Sequence, residues 1–165
     1  GKTVLNLFCY TGSVSVHAGL AGATKVTSVD MSNTYLDWAE DNVRLNKLDR
    51  RKNEFVRADC LEWLSRTNEK FDLVFLDPPS FSNSKKMART WDVQRDHAEI
   101  ISLVRNKLNP GGTLLFSNNL RNFKFDQEAV EGMGFEVFDM KKQTLPEDFQ
   151  RNSKIHHCWK LTLNG

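Results

Sequence analysis

The residues that can do chemistry are three carboxylates and one stiffened loop. Asp77-Pro78-Pro79-Ser80-Phe81 follows the almost wholly apolar run Phe71–Leu76. Its two prolines fix the backbone just past a strand end and remove two N–H donors. Carbonyl oxygens and the Asp77 carboxylate are left directed outward as acceptors. Such a ledge suits a flat ring that carries donors, and Phe81 can stack on that ring; the alternative is plain stiffening of a loop. Asp30 and Asp59 stand in the same place relative to their own strands, after Lys25–Val29 and Asn53–Ala58. An acid at the tip of the second strand of a doubly wound sheet can accept two hydrogen bonds from ribose hydroxyls. A carboxylate after the third strand can accept from an adenine amino group, with the Cys60 backbone N–H beside it. Both acids can equally cap the helices that follow, as can Ser32 and Asn33.

These groups converge only if the strands that carry them are parallel neighbours. Val4-Leu5-Asn6-Leu7-Phe8 is apolar at four of five positions, which suits a strand buried on both faces. It breaks at Thr11-Gly12-Ser13, where Gly12 permits backbone angles denied to other residues and lets a ligand approach the main chain. Ser13 is placed to cap a helix over residues 13–21, which Gly22 ends. A strand, a tight turn and a helix N-terminus make a crevice at the carboxyl end of a sheet. The three-glycine dinucleotide fingerprint is absent, with Val14 and His17 at its second and third positions. A smaller adenosine ligand with an amino-acid tail fits better than a pyrophosphate.

Residues 33–46 carry Leu36, Ala39 and Val43 on one helical face. Leu61, Trp63 and Leu64 define a short helix. Residues 92–108 form a helix with Val93, Ile100, Ile101, Val104 and Leu108 on one side. Asn109-Pro110-Gly111-Gly112 reads as a sharp stop before a fifth strand, Thr113–Ser117, and Asn118-Asn119 then faces the crevice. A short helix over 126–132, a half-exposed strand Phe135–Met140 and a final strand Cys158–Leu163 complete the chain. Residues 82–91 are polar and basic and read as a mobile loop over the site. Lys85, Lys86 and Arg89 there can neutralise phosphates and Trp91 can stack, or the loop is simply solvated.

The chain has 165 residues, 39% apolar and 27% charged, with a net charge of +2. This is ordinary for one globular domain, and no global field announces a nucleic-acid partner. Three scattered cysteines argue against a disulfide frame and for a reducing, cytoplasmic setting. No apolar run approaches the ~20 residues of a membrane span, and no carboxylate–histidine cluster has ligand spacing, so no metal is expected. The chain opens at Gly1 and enters its first strand at once, so we expect other domains upstream in the same polypeptide.

Together, Asn6-Leu7-Phe8-Cys9-Tyr10-Thr11-Gly12, Asp30, Asp59, Asp77-Pro78-Pro79 and Pro110-Gly111-Gly112 resemble a class I S-adenosylmethionine-dependent methyltransferase in order and spacing over nearly the whole chain. Phe-Cys-Tyr-Thr-Gly with Asp-Pro-Pro-Ser-Phe is similar, more narrowly, to bacterial large-subunit ribosomal RNA methyltransferases, in particular the C-terminal domain of the bifunctional guanine enzymes. That resemblance implies a Rossmann-like α/β fold with a seven-stranded, mostly parallel sheet whose last strand is antiparallel. It implies a cofactor site of Asn6, Phe8, Tyr10, Thr11, Gly12, Ser13, Asp30, Met31, Asn33, Asp59, Cys60 and Asp77; we expect Asp77, Pro78, Pro79 and Phe81 at the reacting centre, with Asp77 holding the guanine's N–H edge or the cofactor's ammonium and Phe81 stacking on the base. It further implies 23S ribosomal RNA as substrate, methylated at N7 of a guanine, and an upstream methyltransferase acting on another guanine. Lys85, Lys86, Arg89, Arg121, Lys124, Arg151 and Lys154 are the candidate phosphate contacts.

Three targets compete chemically. C5 of a pyrimidine needs an attacking cysteine, and Ser117-Asn118-Asn119 stands where the similar RNA cytosine enzymes carry one. An exocyclic amine goes with an aromatic residue directly after Pro-Pro, and here Ser80 intervenes. N7 of guanine has a lone pair and no proton to lose, so alignment suffices. A module that binds cofactor or RNA without turnover is the non-enzymatic alternative.

Overall fold

The computed structural model describes residues 1–83, 90–145 and 147–164. In chain order these form β1 (Thr3–Leu7), α1 (Ser13–Leu20), β2 (Lys25–Asp30), α2 (Asn33–Leu45), β3 (Asn53–Arg57), α3 (Cys60–Arg66), β4 (Phe71–Leu76), β5 (Phe81–Ser82), β6 (Trp91–Asp92), α4 (Val93–Arg105), β7 (Leu108–Asn118), α5 (Gln127–Gly132), β8 (Phe135–Asp139), α6 (Lys141–Thr144) and β9 (His157–Leu163), with short 3-10 turns at Arg50–Lys52 and Glu147–Ile155. One sheet runs β3-β2-β1-β4-β7-β9-β8, and β5 pairs with β6 in a separate two-residue ladder. β3, β2, β1, β4 and β7 are mutually parallel, whereas β9 lies antiparallel between β7 and β8. The expected α/β architecture with an antiparallel last strand is therefore the one observed.

Side-chain alternation along the strands sorts the helices onto two faces. Leu5, Leu7 and Val29 point into a core with Leu64 of α3, Ile100, Ile101 and Val104 of α4 and Val130 of α5. Asn6 points the other way, to α1, where its Nδ2 donates to Ser15 Oγ at 2.9 Å and Ser15 shares a 2.7 Å hydrogen bond with Ser28 of β2. Leu36, Ala39 and Val43 of α2 are buried as their spacing requires.

Two expectations need correction. The helix before β7 stops at Arg105, not 108, and β7 already begins at Leu108. Phe71 pairs with Leu108 but Leu73 with Thr113, so Asn-Pro-Gly-Gly bulges out of a strand that continues through it. The second correction concerns Trp91. It belongs to the core at 1% exposure, not to a loop over the site.

Thr27 is fully buried on β2, and its Oγ1 has no hydrogen-bond partner among the described residues. A stranded hydroxyl carries a desolvation cost without return. Thr27→Val keeps the shape and removes the hydroxyl. It should raise stability by about 1–3 kcal/mol, read as a higher denaturant midpoint at unchanged slope.

Candidate active site

The site begins where β1 ends. Phe8 and Tyr10 both have positive φ, 54° and 49°, and Gly12 follows at 73°. Side-chain-bearing residues rarely adopt this region, so the loop must be held in it. Cys9 N–H donates to Val29 O, Tyr10 N–H to Asp30 Oδ2, Gly12 N–H to Cys9 O and Phe8 N–H to Cys60 Sγ, while Asn42 Nδ2 donates to Thr11 O. Asp30 is thus bidentate, its other oxygen accepting from Ser32 N–H at 2.9 Å. It staples the first loop to the second, while Ser32 caps α2 by accepting from Tyr35 N–H.

What approaches the Gly12 backbone is the protein itself. A Cβ there would lie 2.6 Å from Ala39 Cβ of α2. Gly12, not Ser13, is the residue before α1, and no side chain caps that helix. The chain arrives with left-handed φ, and Ser13 is already helical.

The loop after β4 is clamped just as fully. Pro79 O accepts from Trp91 Nε1 at 2.7 Å, and Ser80 O accepts from Val93 N–H at 3.0 Å. Two carbonyls of the expected acceptor ledge are therefore used inside the protein. Ser117 Oγ donates to Asp77 Oδ1 and Ser80 Oγ to Asn119 Oδ1, each at 2.8 Å.

Between the two loops lies a cleft of about 460 Å³ lined by Phe8, Tyr10, Asp30, Met31, Tyr35, Asp77, Pro78, Pro79, Ser82 and Asn119. A second hollow of about 410 Å³, lined by Met31, Arg57, Ala58, Asp59 and Glu62, shares Met31 with it. The pair offers an elongated path from Asp77 past Asp30 to Asp59, sized for an adenosine and an amino-acid tail. Asp59 Oδ1 caps α3 through Leu61 and Glu62 N–H, and Asp59 also lines the second hollow.

Other expected contacts lie elsewhere. Asn6 is buried against α1, and Ser13 and Asn33 are exposed first residues of their helices. Thr11 enters through its carbonyl, which Asn42 holds. Cys60 is buried and its thiol receives Phe8 N–H; burial holds its pKa far above the ordinary value. Phe81 is 60% exposed beside Ser82. Arg121, Lys124, Arg151 and Lys154 are exposed, and Lys85, Lys86 and Arg89 lie outside the described residues. Among the described residues no three His, Cys, Asp or Glu side chains gather to hold a metal, and no helix is long and apolar enough to cross a membrane.

Tyr35 escapes a reading by helical spacing because it sits on the outer face of α2. Its edge meets the Tyr10 ring at 4.6 Å between centroids. Its position in the first turn of a helix that opens at the crevice was the available signal. Ser117 and Asn119 were signalled only by lying at the carboxyl end of the fifth strand.

Chemically the site has acceptors and aromatic faces and no thiolate. Burial pushes the Cys9 thiol up to about 12 and also raises Cys158. Crowding by protein raises the Asp77 pKa although the residue keeps contact with solvent; the Ser117 hydroxyl and the nearby His156 act in the opposite direction.

A doubly wound sheet with this crevice defines a methyltransferase fold, and comparison with known proteins agrees. The family described as S-adenosylmethionine-dependent methyltransferase matches residues 1–135, and the chain belongs to it. S-adenosylmethionine is the cofactor of that family. Ribosomal RNA large subunit methyltransferase K/L of Pseudoalteromonas atlantica is 60% identical over 164 residues, 99% of this chain, and the protein of the same name from Shewanella pealeana is 54% identical over 165 residues. The chain spans only 23% of the length of either relative. Among solved structures, SMU.776, assigned as a methyltransferase and complexed with S-adenosylhomocysteine, superposes with a TM-score of 0.83 at 26% identity, over 99% of this chain and 45% of that one.

Two outcomes test this geometry. Gly12→Ala meets both the wrong φ and the Ala39 contact, and should lose about 1–3 kcal/mol of stability in denaturant unfolding. Ala39→Gly in the same chain should recover only part, because it relieves the contact and not the φ. For Asp77, a raised pKa means that the native state holds its proton more tightly than the unfolded chain. Stability contributed by this group is therefore present below the ordinary value of 3.8 and lost as pH rises through the folded pKa. Asp77→Asn keeps an acceptor for Ser117 and removes that loss. It should be more stable than the wild type at neutral pH, with the difference vanishing at pH values well below 3.8 in parallel melts.

Proposed function

We propose that this chain is the catalytic domain that methylates N7 of a guanine in 23S ribosomal RNA, in the cytoplasm, as part of a polypeptide with further domains. The observation that carries the reading is the site's chemistry: acceptors and aromatic rings converge on one cleft, and the three cysteines are buried and protonated. The ribosomal RNA enzymes named above, 54–60% identical, support the substrate class.

The residues fit S-adenosylmethionine by the two hollows that meet at Met31 and by Asp30 and Asp59 at their strand ends. When bound, the cofactor supplies a methyl group that the N7 lone pair takes with inversion, the C–S electron pair staying on sulfur and the positive charge passing to the purine. No proton leaves N7, so no general base is required. The chain's own part is alignment and charge. Asp77, fixed by Ser117, accepts from the N–H edge of the guanine and faces the charge that develops on its ring. Pro78 and Pro79 hold that carboxylate at the cleft wall, Trp91 anchors the loop from beneath, and Phe81 stacks on the base. Arg121, Lys124, Arg151 and Lys154 contact phosphates outside the cleft, and Lys85, Lys86 and Arg89 are further candidates for phosphate contact.

N7-methylguanosine becomes cleavable by aniline after borohydride reduction, unlike the products of amino or C5 methylation. RNA from cells lacking the enzyme, incubated with the protein and labelled cofactor, should break at one guanine. Asp77→Ala should abolish most of that signal. Label that survives in uncleaved RNA overturns the N7 assignment, and full turnover by Asp77→Ala overturns the role of Asp77.

A further inference from the structure

Two loops at the cleft are joined by a matched pair of hydrogen bonds. From the end of β7, Ser117 Oγ donates to Asp77; from the loop after β4, Ser80 Oγ donates to Oδ1 of Asn119, the first residue past β7. The first bond presents a carboxylate acceptor. The second fixes the Asn119 amide so that its oxygen faces Ser80 and its Nδ2 donor faces away. Asp77 and Asn119 both line the cleft, on the wall that includes Pro78 and Pro79.

The segment carrying Asn119 is anchored. Asn118 Oδ1 accepts from Leu120 N–H, and Asp126 N–H donates to Nε2 of the buried His97. Phe123 and Phe125 pack on Trp159 at 5.6 and 4.4 Å. The donor thus has a defined place relative to the acceptor, as a reading group requires.

We propose that Asn119 is a specificity-determining residue for the target base: its Nδ2 donates to O6 of a guanine whose N1–H and N2–H edge is accepted by Asp77. The inference rests on the guanine-N7 reading above. An acceptor beside a donor matches the N1–H and O6 of guanine and opposes adenine, which carries an acceptor at N1 and an amino donor at C6. Uracil presents the same pair but has no imidazole nitrogen to receive a methyl group. Ser80 sets the orientation of the amide and so acts as a positioning residue.

The test uses transcripts with guanine or 6-thioguanine at the mapped target. The sulfur analogue keeps N1–H and N2–H and weakens only the acceptor at C6. The wild type should favour guanine over 6-thioguanine, and Asn119→Ala should lower kcat/KM for the guanine RNA by about ten- to a hundredfold and treat both bases alike. Asn119→Asp, which sets a carboxylate against O6, should fall further. Ser80→Ala should lie between wild type and Asn119→Ala. S-adenosylhomocysteine affinity, measured by calorimetry, should be the same in all of them. Discrimination that persists in Asn119→Ala, or S-adenosylhomocysteine binding that weakens in step with turnover, overturns the assignment. A wild-type product other than N7-methylguanosine overturns the reading beneath it, and is seen before any variant is compared.

Discussion

The structure depends on the backbone at the end of β1. Two aromatic residues, Phe8 and Tyr10, sit in left-handed conformations on either side of a buried cysteine, at a cost of order 1–3 kcal/mol each. The strain persists because four residues from three other segments hold the loop, Val29 and Asp30 of β2, Asn42 of α2 and Cys60 of α3, together with Cys9 within it. Asp30 is central to this set, because one carboxylate binds the loops after β1 and β2 at once. The conformation places Phe8, Tyr10 and Asp30 on one wall of the cleft. An acid expected to face a ribose therefore also builds the surface that the ribose would meet.

The opposite wall is made rigid by different means. Proline removes donors and freedom from the Asp-Pro-Pro loop, but the remaining carbonyls need partners. Trp91 and Val93 supply them from β6 and α4, which return to the cleft after the segment 84–89. Trp91 also packs against Phe8, with ring centroids 6.0 Å apart. A single buried indole so touches both walls, holding one by hydrogen bond and the other by contact. Ser82 and Trp91 are paired across β5 and β6, as are Phe81 and Asp92.

Strands were legible because burial on both faces leaves continuous apolar runs, and the acids at their ends were legible because they stop those runs. Asp30, Met31 and Asp77 line the cleft as that logic suggests. What was not legible depends on partners distant in sequence. Nothing in Trp-Asp at 91–92 announces that the indole bonds Pro79 O, and polar neighbours made it read as a loop residue. The resemblance places Asn6 in the cofactor site, but strand alternation turns it to Ser15. The Asn-Pro-Gly-Gly stretch carries every signal of a helix stop, yet the strand runs through it as a bulge, since the neighbouring β4 supplies partners on both sides. Asn119 was legible from its place at the end of the fifth strand, whereas Tyr35 enters the site through the placement of α2 against the first loop.

The charge of the cleft closes the argument. Its lining includes Asp30 and Asp77 and, among the described residues, no lysine or arginine. Such a cleft favours a cation and disfavours a phosphate at short range, where the low-dielectric wall strengthens both effects. A methyl transfer to N7 keeps one positive charge in the site from beginning to end, moving it from sulfur to purine without a proton being released. Acceptors fixed in place suit such a path, since the charge moves and no proton has to be taken up. Arg121, Arg151 and Lys154 are exposed and take no part in the lining of the cleft. The fold thus keeps its described cations off the cleft wall, where Asp30 and Asp77 are the charged groups.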